Sequence, residues 1–317
     1  MFGRRRKRGR LVFIVQTPNH LGILDLIRPA CEVAGLKPEV WLVTGLPESA
    51  RAREAIEQRG LPLRNAAKKL EVLQAGDVAI FFLVSWMRDQ DRIASLLGRG
   101  VRLLQLSEGC RFNFPGLTHP DVPFLGWGPS ARVAGRQLRI VGSPVIEAAP
   151  RGPALAARPA KALINVKFRG HEPARATWLD EVLGACAATG LTPVLSGHPV
   201  LCDGFDVEFD PRPVAQLCAE LPVVISRPST VIYEALVAGA QPFLMPTRGE
   251  GQVEFADPRG AFPIALTGAE LTGQLRRWQA GQGGYDPAPF LEAHVDIDPN
   301  RPAARRIVDE ILSELRR

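Results

Sequence analysis

Residues 223–239 read VVISRPSTVIYEALVAG and decide the fold of this chain. Val223–Ser226 has the length and the β-branched content of a buried strand. A short polar turn follows, and the apolar residues of Val231–Ala238 then have helical spacing, with Gly239 placed to end the helix. The segment therefore predicts a strand, a tight turn and a helix, the repeating unit of a parallel α/β sheet.

The same alternation of short apolar runs and longer helical segments extends through the chain in both directions. In the second half, the other predicted strands are Ala162–Lys167, Pro193–Ser196 and Pro242–Met245. The other predicted helices there are Ala174–Thr189 and Val214–Glu220. In the first half, the predicted strands are Leu11–Gln16, Glu39–Val43, Val78–Val84, Val101–Leu106 and Arg139–Val141, and the predicted helices are Ile23–Ala34 and Glu48–Arg59. The pattern predicts two successive doubly wound, Rossmann-like units.

A change in composition and hydrophobic periodicity separates the two halves of the sequence. Residues 148–160 contain three prolines and little periodicity, which is typical of a linker. We therefore predict a basic tail at 1–10, an N-terminal domain at 11–148, a C-terminal domain at 149–300 and a closing amphipathic helix at 301–317. In a chain of 317 residues, each domain is large enough to bury its own core.

The net charge of +6 comes from the N-terminal tail, whose six cations are Arg4, Arg5, Arg6, Lys7, Arg8 and Arg10. A nucleic-acid binder spreads its basic residues over a folded face and interleaves aromatic residues, so we expect no nucleic-acid partner. The Arg4–Arg10 run is either a solvated terminus or a site that attracts an anionic membrane surface. Because no apolar stretch approaches the length that spans a bilayer, we expect a cytoplasmic chain, peripheral at most at the inner membrane face.

Several kinds of site are not indicated by the sequence. The five cysteines are widely spaced without a C-x-x-C pair, which argues against a disulfide framework or a zinc site. For Cys110, a buried thiol is favoured over a nucleophile. Neither a G-x-x-x-x-G-K-[ST] loop nor a G-x-G-x-x-G turn after a strand occurs, which argues against ATPases and nicotinamide dehydrogenases. We expect no metal and no cofactor.

Polar residues at the start of the helix in 223–239 are candidates for binding phosphate. Ser229 and Thr230 fall where free amides, hydroxyls and the helix macrodipole attract anions. Glu234 comes one turn later on the same face, where its carboxylate can accept hydrogen bonds from ribose hydroxyls. The alternative is an ordinary Ser/Thr N-cap followed by a solvated glutamate.

The whole block from Val223 to Pro246 resembles the C-terminal domain of GT-B glycosyltransferases, in which a strand, a Ser/Thr turn and a helix containing E-A-L-x-x-G precede a strand that ends in proline. The resemblance implies a GT-B architecture: two doubly wound Rossmann-like domains facing across a cleft, with a nucleotide-sugar donor in the C-terminal one. It also implies that Ser229 and Thr230 hold the donor phosphate and that Glu234 lies near the ribose.

His198-Pro199 follows the predicted strand Pro193–Ser196. A His-Pro ahead of a Ser/Thr turn resembles bacterial sialyl- and polysialyltransferases, capsular Kdo transferases and CDP-glycerol glycerophosphotransferases. That resemblance implies a contact between His198 and the donor phosphate. Lys167 and Arg169, after the first strand of the second half, can add charge-assisted contacts to phosphate or face solvent as free cations.

Two residues in the first half are candidates for the catalytic base that an inverting transferase needs. Glu108-Gly109 resembles the acidic-Gly motif of the sialyltransferase-like families, although Ser107 stands where a second acidic residue often occurs. His20 lies in the loop after the first strand, where another group of GT-B enzymes has a histidine. Candidates for acceptor contacts are Asn19, Asp25 and Arg111.

These features predict a metal-independent glycosyltransferase that moves a sugar from a nucleotide-activated donor, first of all CMP-linked Kdo or sialic acid, to a surface-polysaccharide or glycolipid acceptor. A CDP-polyol phosphotransferase and a UDP-sugar 2-epimerase remain alternatives because they use related folds. So does a non-catalytic subunit that binds sugar nucleotides.

Overall fold

The computed structural model describes residues 9–44, 49–66, 70–82, 90–109, 119–132, 137–167, 174–197, 207–247, 250 and 255–317. Internal contacts divide the chain into two compact units. The first unit consists of Met1–Glu147 and His294–Arg317, and the second of Ala148–Ala293.

The first unit contains a parallel sheet of seven strands in the order β3-β2-β1-β4-β5-β6-β7. The strands are β1 Leu11–Val15, β2 Pro38–Leu42, β3 Arg64–Asn65, β4 Val78–Phe82, β5 Arg102–Leu106, β6 Phe124–Gly126 and β7 Leu138–Ile140. Every residue of β1 and β4 is buried. The two adjacent strands lie in the middle of the sheet with both faces covered, which explains their continuous apolar runs.

The helices of the first unit are α1 Pro18–Val33, α2 Ser49–Gln58, α3 Gln90–Gly98 and α4 Pro144–Glu147, with single 3-10 turns at Leu70–Val72 and Pro129–Ala131. The last helix of the chain, Ala303–Arg316, also belongs here. Its buried Ile307, Val308 and Ile311 share a core with Leu24 and Ile27 of α1. The amphipathic pattern predicted for the C-terminus is therefore satisfied by burial against the first unit.

The second unit contains a parallel sheet of four strands in the order β11-β10-β8-β9. The strands are β8 Lys161–Val166, β9 Thr192–Gly197, β10 Val223–Ser226 and β11 Gln241–Leu244. The helices are α5 Arg175–Ala188, α6 Val214–Glu220, α7 Val231–Ala238, α8 Gly268–Gln279 and α9 Ala288–His294, with a 3-10 turn at Leu155–Ala157. β10 and α7 have the bounds predicted from the sequence, and Gly239 ends α7 with a φ of 73°.

The structure differs from the sequence interpretation at the second boundary. Residues 294–300, predicted to lie in the second domain, belong to the first unit. The Asp296 amide donates to the Trp127 carbonyl at 2.8 Å, and Arg306 of the last helix donates to the Asp296 carboxylate at 2.7 Å. The carboxylate of Glu147 accepts a hydrogen bond from the Ala303 amide at 2.7 Å. These contacts join the segment to the first unit.

The proline-rich segment at 148–160 packs onto the second unit through Arg158, which is 9% exposed. Its guanidinium donates to the carbonyls of Pro153, Cys218, Leu221 and Ala238. Three of these carbonyls lie at or next to the carboxyl ends of α6 and α7, where helix carbonyls lack partners within the helix. A segment with the composition of a linker is thus fixed to the second unit by hydrogen bonds, most of them from one buried arginine.

Six elements were not predicted from the sequence: β3, β6, α3, α4, α8 and α9. In addition, α1 begins at Pro18, five residues before the predicted start at Ile23. Proline is suited to the first turn of a helix because its φ is already helical and it has no amide to leave unpaired. The interpretation of this segment as a loop was therefore wrong for residues 18–22, and Asn19 and His20 lie in the first turn of α1.

Candidate functional site

Each sheet has a switch point, where successive connections leave in opposite directions along the strand order. In the first unit it lies between β1 and β4, and in the second between β8 and β10. Open α/β sheets bind their ligands outside the carboxyl ends of the strands at such a point. Both of these regions contain residues that the sequence indicated.

At the switch point of the first unit, the two candidate bases contact each other. His20 enters from the first turn of α1, and Glu108 lies two residues after the end of β5. Nε2 of His20 is hydrogen bonded to Oε2 of Glu108. The histidine side chain is 0% exposed, whereas that of the glutamate is 25% exposed. The two alternatives that the sequence left open are therefore members of one pair.

The hydrogen bonds of His20 define its tautomer. The backbone N–H of Gln16 donates to Nδ1 of His20 at 3.1 Å. Since a backbone amide can only donate, Nδ1 accepts and the ring proton is on Nε2, directed at Glu108. The ring also stacks on Phe82, the last residue of β4, with centroids 4.1 Å apart. His20 is thus buried with both nitrogens engaged, while Glu108 reaches solvent.

The loop that carries Glu108 is supported on both sides. The Ser107 hydroxyl donates to the carbonyl of Gly109 at 3.0 Å, and the indole N–H of Trp127 donates to the carbonyl of Ser107 at 3.3 Å. Ser107 therefore supports the loop by hydrogen bonding at the position where the resembling families often have a second acid.

The structure separates the candidates for acceptor contacts. Asn19 is exposed in the first turn of α1, one residue before His20. Asp25 lies deeper in α1, where its carboxylate accepts hydrogen bonds from Arg28 at 3.3 Å and Arg59 at 2.8 Å. Asp25 therefore already has two cationic partners in its own unit. Arg111 lies outside the described residues.

At the switch point of the second unit, hydrogen bonds connect the loops that follow β8 and β10. The ammonium of Lys167 donates to the Pro228 carbonyl at 3.2 Å, and the guanidinium of Arg227 donates to the Lys167 carbonyl. Within the strands themselves, the side-chain amide of Asn165 on β8 donates to the Ser226 hydroxyl on β10 at 3.0 Å. Two cations are thereby held beside the turn that leads into α7. Arg169 and His198 lie outside the described residues.

Sequence reasoning did not assign a role to Arg227 or to its partner Glu250. Nε of Arg227 donates to Glu250 Oε2 at 2.9 Å, and the same oxygen accepts from the amide and hydroxyl of Thr247 at 3.0 and 3.2 Å. Arg227 had a signal in the sequence because it directly follows a buried strand. Glu250 had none, since 23 residues separate it from its partner.

The turn before α7 contains Ser229 and Thr230, which the sequence predicts to bind phosphate. Ser229 is 5% exposed, and Thr230 is half-buried. Thr230 stands at the N-cap position with helical backbone angles, and its side chain makes no capping hydrogen bond. The alternative interpretation of Thr230 as an ordinary side-chain N-cap is therefore wrong, because a residue with helical φ and ψ does not direct its hydroxyl back onto the first turn.

Glu234 is almost buried, with 7% of its surface exposed. Burial raises the pKa of its carboxyl group from 4.5 to about 7. Its charge also raises the pKa of the Cys218 thiol on α6, where burial has the larger effect. The carboxyl group therefore lies near α6 and is not the solvated glutamate of the alternative interpretation.

Other groups predicted or excluded from the sequence have the following positions. Cys31, Cys186 and Cys218 are unpaired and buried, and burial raises the thiol pKa of Cys31 and of Cys186 to about 11. Cys110 and Cys202 lie outside the described residues. Among the residues that the structure describes, no group of three or more His, Cys, Asp or Glu side chains is arranged to hold a metal ion.

None of the helices described here combines the length and apolar character needed to cross a bilayer.

No protein-family model matches the sequence, and comparison with curated proteins finds no relative. Among solved structures, the chain is similar to a UDP-GlcNAc 2-epimerase from Methanocaldococcus jannaschii in complex with UDP-GlcNAc and UDP, at a TM-score of 0.68 and 13% identity over 96% of this chain and 99% of that one. It is also similar to a spinosyn forosaminyltransferase, at a TM-score of 0.61 and 14% identity over 98% and 100%.

A third similar structure is a glycosyltransferase from Streptomyces nogalater, with a TM-score of 0.57 and 16% identity over 97% of this chain and 100% of that one. At these identities the likeness shows the fold. The chain has the GT-B fold, built from two parallel-sheet Rossmann-like units, as the sequence predicted.

Proposed function

We propose that this chain is a glycosyltransferase that moves a sugar from a nucleotide-activated donor to a hydroxyl group of a glycan or glycolipid. The observation that carries the proposal is the pair of His20 and Glu108 at the switch point of the first unit. Its partly exposed member is a carboxylate, and its buried member is a histidine whose other nitrogen is already engaged. Such a pair presents one group to a ligand, and that group is a base.

In the proposed reaction, Glu108 takes the proton of the acceptor hydroxyl while the acceptor oxygen attacks the anomeric carbon of the donor sugar. The bond between that carbon and the phosphate oxygen breaks, and the nucleotide leaves with the electron pair. His20 donates its Nε2–H to Glu108 and so holds the carboxylate in place. His20 is a positioning residue in this scheme, and exposed Asn19 is the nearest candidate for contact with the acceptor.

The departing phosphate is assigned to the second unit. Lys167 and Arg227 carry positive charge beside the turn before α7, and the Ser229 and Thr230 hydroxyls and the macrodipole of α7 add polar contacts. His198 and Arg169 keep their predicted phosphate contacts as part of this proposal. Protein donors then neutralise the leaving group, so the scheme uses no metal. The ribose is assigned to Glu234.

For the donor, we favour a CMP-linked acidic sugar, Kdo or sialic acid. Support comes from the His198-Pro199 and Glu108-Gly109 motifs, which resemble families that use cytidine-activated donors. A uridine donor is the alternative, because a structurally similar protein is described in complex with UDP. A thermal-shift panel of CMP, CDP, UDP, GDP and their sugars tests this choice. Stabilisation by cytidine nucleotides alone is expected; stabilisation by UDP alone contradicts it, and no stabilisation by any nucleotide contradicts the transferase proposal.

A UDP-sugar 2-epimerase is the second candidate, favoured by the TM-score of 0.68 to such an enzyme. The two functions differ in whether an acceptor is needed. Incubation of the chain with UDP-GlcNAc alone, followed by analysis of the sugar, separates them. We expect unchanged UDP-GlcNAc, and its interconversion with the 2-epimer would establish the epimerase instead.

The acceptor is assigned to a surface polysaccharide or its lipid-linked precursor. The Arg4–Arg10 run would then bring a cytoplasmic enzyme to the anionic inner membrane face, where such precursors are found. Phosphodiester product in place of glycoside would indicate a polyol phosphotransferase. Full biological activity in Glu108→Ala and His198→Ala variants would indicate a non-catalytic subunit.

A further inference from the structure

A cavity of about 560 Å³ lies in the first unit, apart from the pair of His20 and Glu108. Part of its wall is apolar and consists of Leu11, Leu36, Leu312 and Leu315. Three cationic residues, Arg10, Lys37 and Arg316, also line it and are exposed. We name these seven residues the basal cavity.

The basal cavity lies at the opposite end of the sheet from the candidate active site. Leu11 is the first residue of β1, and Leu36 and Lys37 connect α1 to the first residue of β2. In a parallel sheet these positions share the edge formed by the amino ends of the strands. Five residues of β1 span roughly 16 Å. A ligand in the basal cavity therefore does not occupy the site of Glu108.

The charge of the basal cavity is positive. The one carboxylate in its wall, Glu39, is neutralised by Arg64 at 2.6 Å and also accepts a hydrogen bond from the Trp41 indole at 3.1 Å. Among the described residues, no carboxylate lies within ion-pairing distance of Arg10, Lys37 or Arg316. The cavity thus presents uncompensated cations next to leucine side chains.

The start of the described chain is anchored at the same place. A Cβ atom on Gly9 would come within 1.7 Å of the Gly76 carbonyl oxygen, so Gly9 packs directly on that backbone. The Arg10 amide donates to the Asp77 carboxylate at 2.7 Å. In the sequence, Gly9 is directly preceded by Arg4, Arg5, Arg6, Lys7 and Arg8. The basic run therefore joins the folded unit at the basal cavity.

We propose that the basal cavity binds an anionic phospholipid of a membrane surface, with the phosphate on its three cations and the apolar part of the lipid on its leucines. A small soluble anion would make no apolar contact with the leucines, and a neutral apolar ligand would not interact with the charges of the cations. Val33 supports this choice, because it ends α1 two residues before Gly35, which lines the cavity, and is 80% exposed. In this proposal the membrane is contacted by a cavity of the folded unit as well as by the basic tail, and the binding does not depend on the catalytic activity.

The test is sedimentation of the full chain with vesicles of phosphatidylcholine and phosphatidylglycerol mixed two to one, and with phosphatidylcholine vesicles. We expect binding to the anionic vesicles, reduced at least tenfold in an Arg10→Glu, Lys37→Glu, Arg316→Glu variant. The matched control is Arg51→Glu, Arg53→Glu, Arg277→Glu, which reverses three exposed cations outside the cavity. The control is expected to bind within twofold of the natural chain.

Three results would overturn the proposal. The first is an equal loss in both triple variants, which means that total charge alone matters. The second is displacement of the chain from vesicles by millimolar inorganic phosphate, which indicates a site for a soluble anion. The third is complete loss of binding on removal of residues 1–8 alone, since the cavity should retain weaker binding without them. Val33→Asp provides a milder variant on the surface, with an expected loss of about threefold.

Discussion

The two switch points of this chain have opposite chemical characters. In the first unit, a partly exposed carboxylate is backed by a buried histidine, and the residues around them are already hydrogen bonded to one another. In the second unit, Lys167 and Arg227 bring positive charge to the turn before α7, whose N-cap hydroxyl makes no capping bond. In the proposed function, the first region accepts a proton and the second binds an anion.

This difference shows how the same parallel α/β sheet can present either a carboxylate or cationic groups at its switch point. Both sheets are parallel, and both place polar residues at the carboxyl ends of the strands at a switch point. What differs is the residue that is exposed there and the residues that hold it. A glycosyl transfer needs both kinds of group, because one oxygen must lose a proton while another leaves with a phosphate. Variants in one region should therefore affect rate, and variants in the other should affect donor affinity.

The largest effect is expected for Glu108→Gln. Removal of a general base lowers kcat by about 100- to 10,000-fold, which is roughly 3–5 kcal/mol of barrier. Steady-state kinetics with the donor identified by the thermal-shift panel provides the measurement, and donor affinity should stay unchanged. Glu32→Gln, an exposed site on α1, is the control and should keep full activity. A kcat of Glu108→Gln within threefold of the natural value would show that Glu108 is not the general base.

The next effect concerns Glu234→Gln and its pH dependence. Below pH 4.5 the carboxyl is neutral in both folded and unfolded chains, so the substitution has no electrostatic effect there. Between 4.5 and about 7 only the unfolded chain ionises, and above that range the folded chain carries a buried charge. The variant should therefore gain stability relative to the natural chain as pH rises, by up to about 3 kcal/mol at pH 8. Urea unfolding at pH 5 and pH 8 measures this gain.

A pH-independent difference in stability would contradict the burial of an ionisable Glu234. The ribose assignment has a separate test, because ribose hydroxyls that donate to the carboxylate favour its charged form. Nucleotide binding near pH 7 should then release protons from the natural chain and not from Glu234→Gln. Calorimetric titrations in buffers of different ionisation enthalpy detect that release.

Substitution of His20 should have an intermediate effect. His20→Phe keeps an aromatic ring on Phe82 but removes the N–H that holds Glu108, and it leaves the Gln16 amide without its acceptor. A misplaced base can lower kcat by up to about 100-fold, and the unpaired amide costs about 1–3 kcal/mol of folding free energy. KM should stay constant. His20→Gln, which retains a donor, should recover part of kcat, and equal kcat values for the two variants would argue against a positioning role.

The smallest effect is expected for Lys167→Ala. Loss of one partly exposed charge-assisted contact should weaken nucleotide binding about tenfold, or ~1.4 kcal/mol, with little change in kcat. Lys161→Ala is the matched control, since Lys161 lies exposed at the amino end of the same strand, β8. Titration calorimetry with the preferred nucleotide gives both affinities. Equal affinities in the two variants would show that Lys167 does not contact the phosphate.

Much of the fold could be predicted because its signals are local. Val223–Ser226 and Val231–Ala238 have the predicted bounds, since a run of buried strand residues and a terminal glycine are visible within one short window. The missed helix Gly268–Gln279 also had a local signal. Thr267 accepts a hydrogen bond from the Glu270 amide, and the Glu270 carboxylate accepts one from Leu266, as in a capping box.

The sequence named the residues of the candidate site but could not predict how they are arranged. Glu108 and His20 each followed a predicted strand, yet their contact spans 88 residues and depends on β1, β4 and β5 being neighbours. Burial decides which of them reaches solvent, and burial depends on Phe82 and on the early start of α1 at Pro18. In the second unit, the pair of Arg227 and Glu250 likewise joins residues that no local pattern connects.

The separation of proton transfer from phosphate binding is tested most directly by nucleotide release from the donor sugar in Glu108→Gln and Lys167→Ala enzymes assayed side by side. We expect Glu108→Gln to lose at least 100-fold in kcat at an unchanged donor KM, and Lys167→Ala to raise the donor KM about tenfold with kcat nearly unchanged. Natural kcat in Glu108→Gln, or a loss confined to its donor KM, would contradict the account.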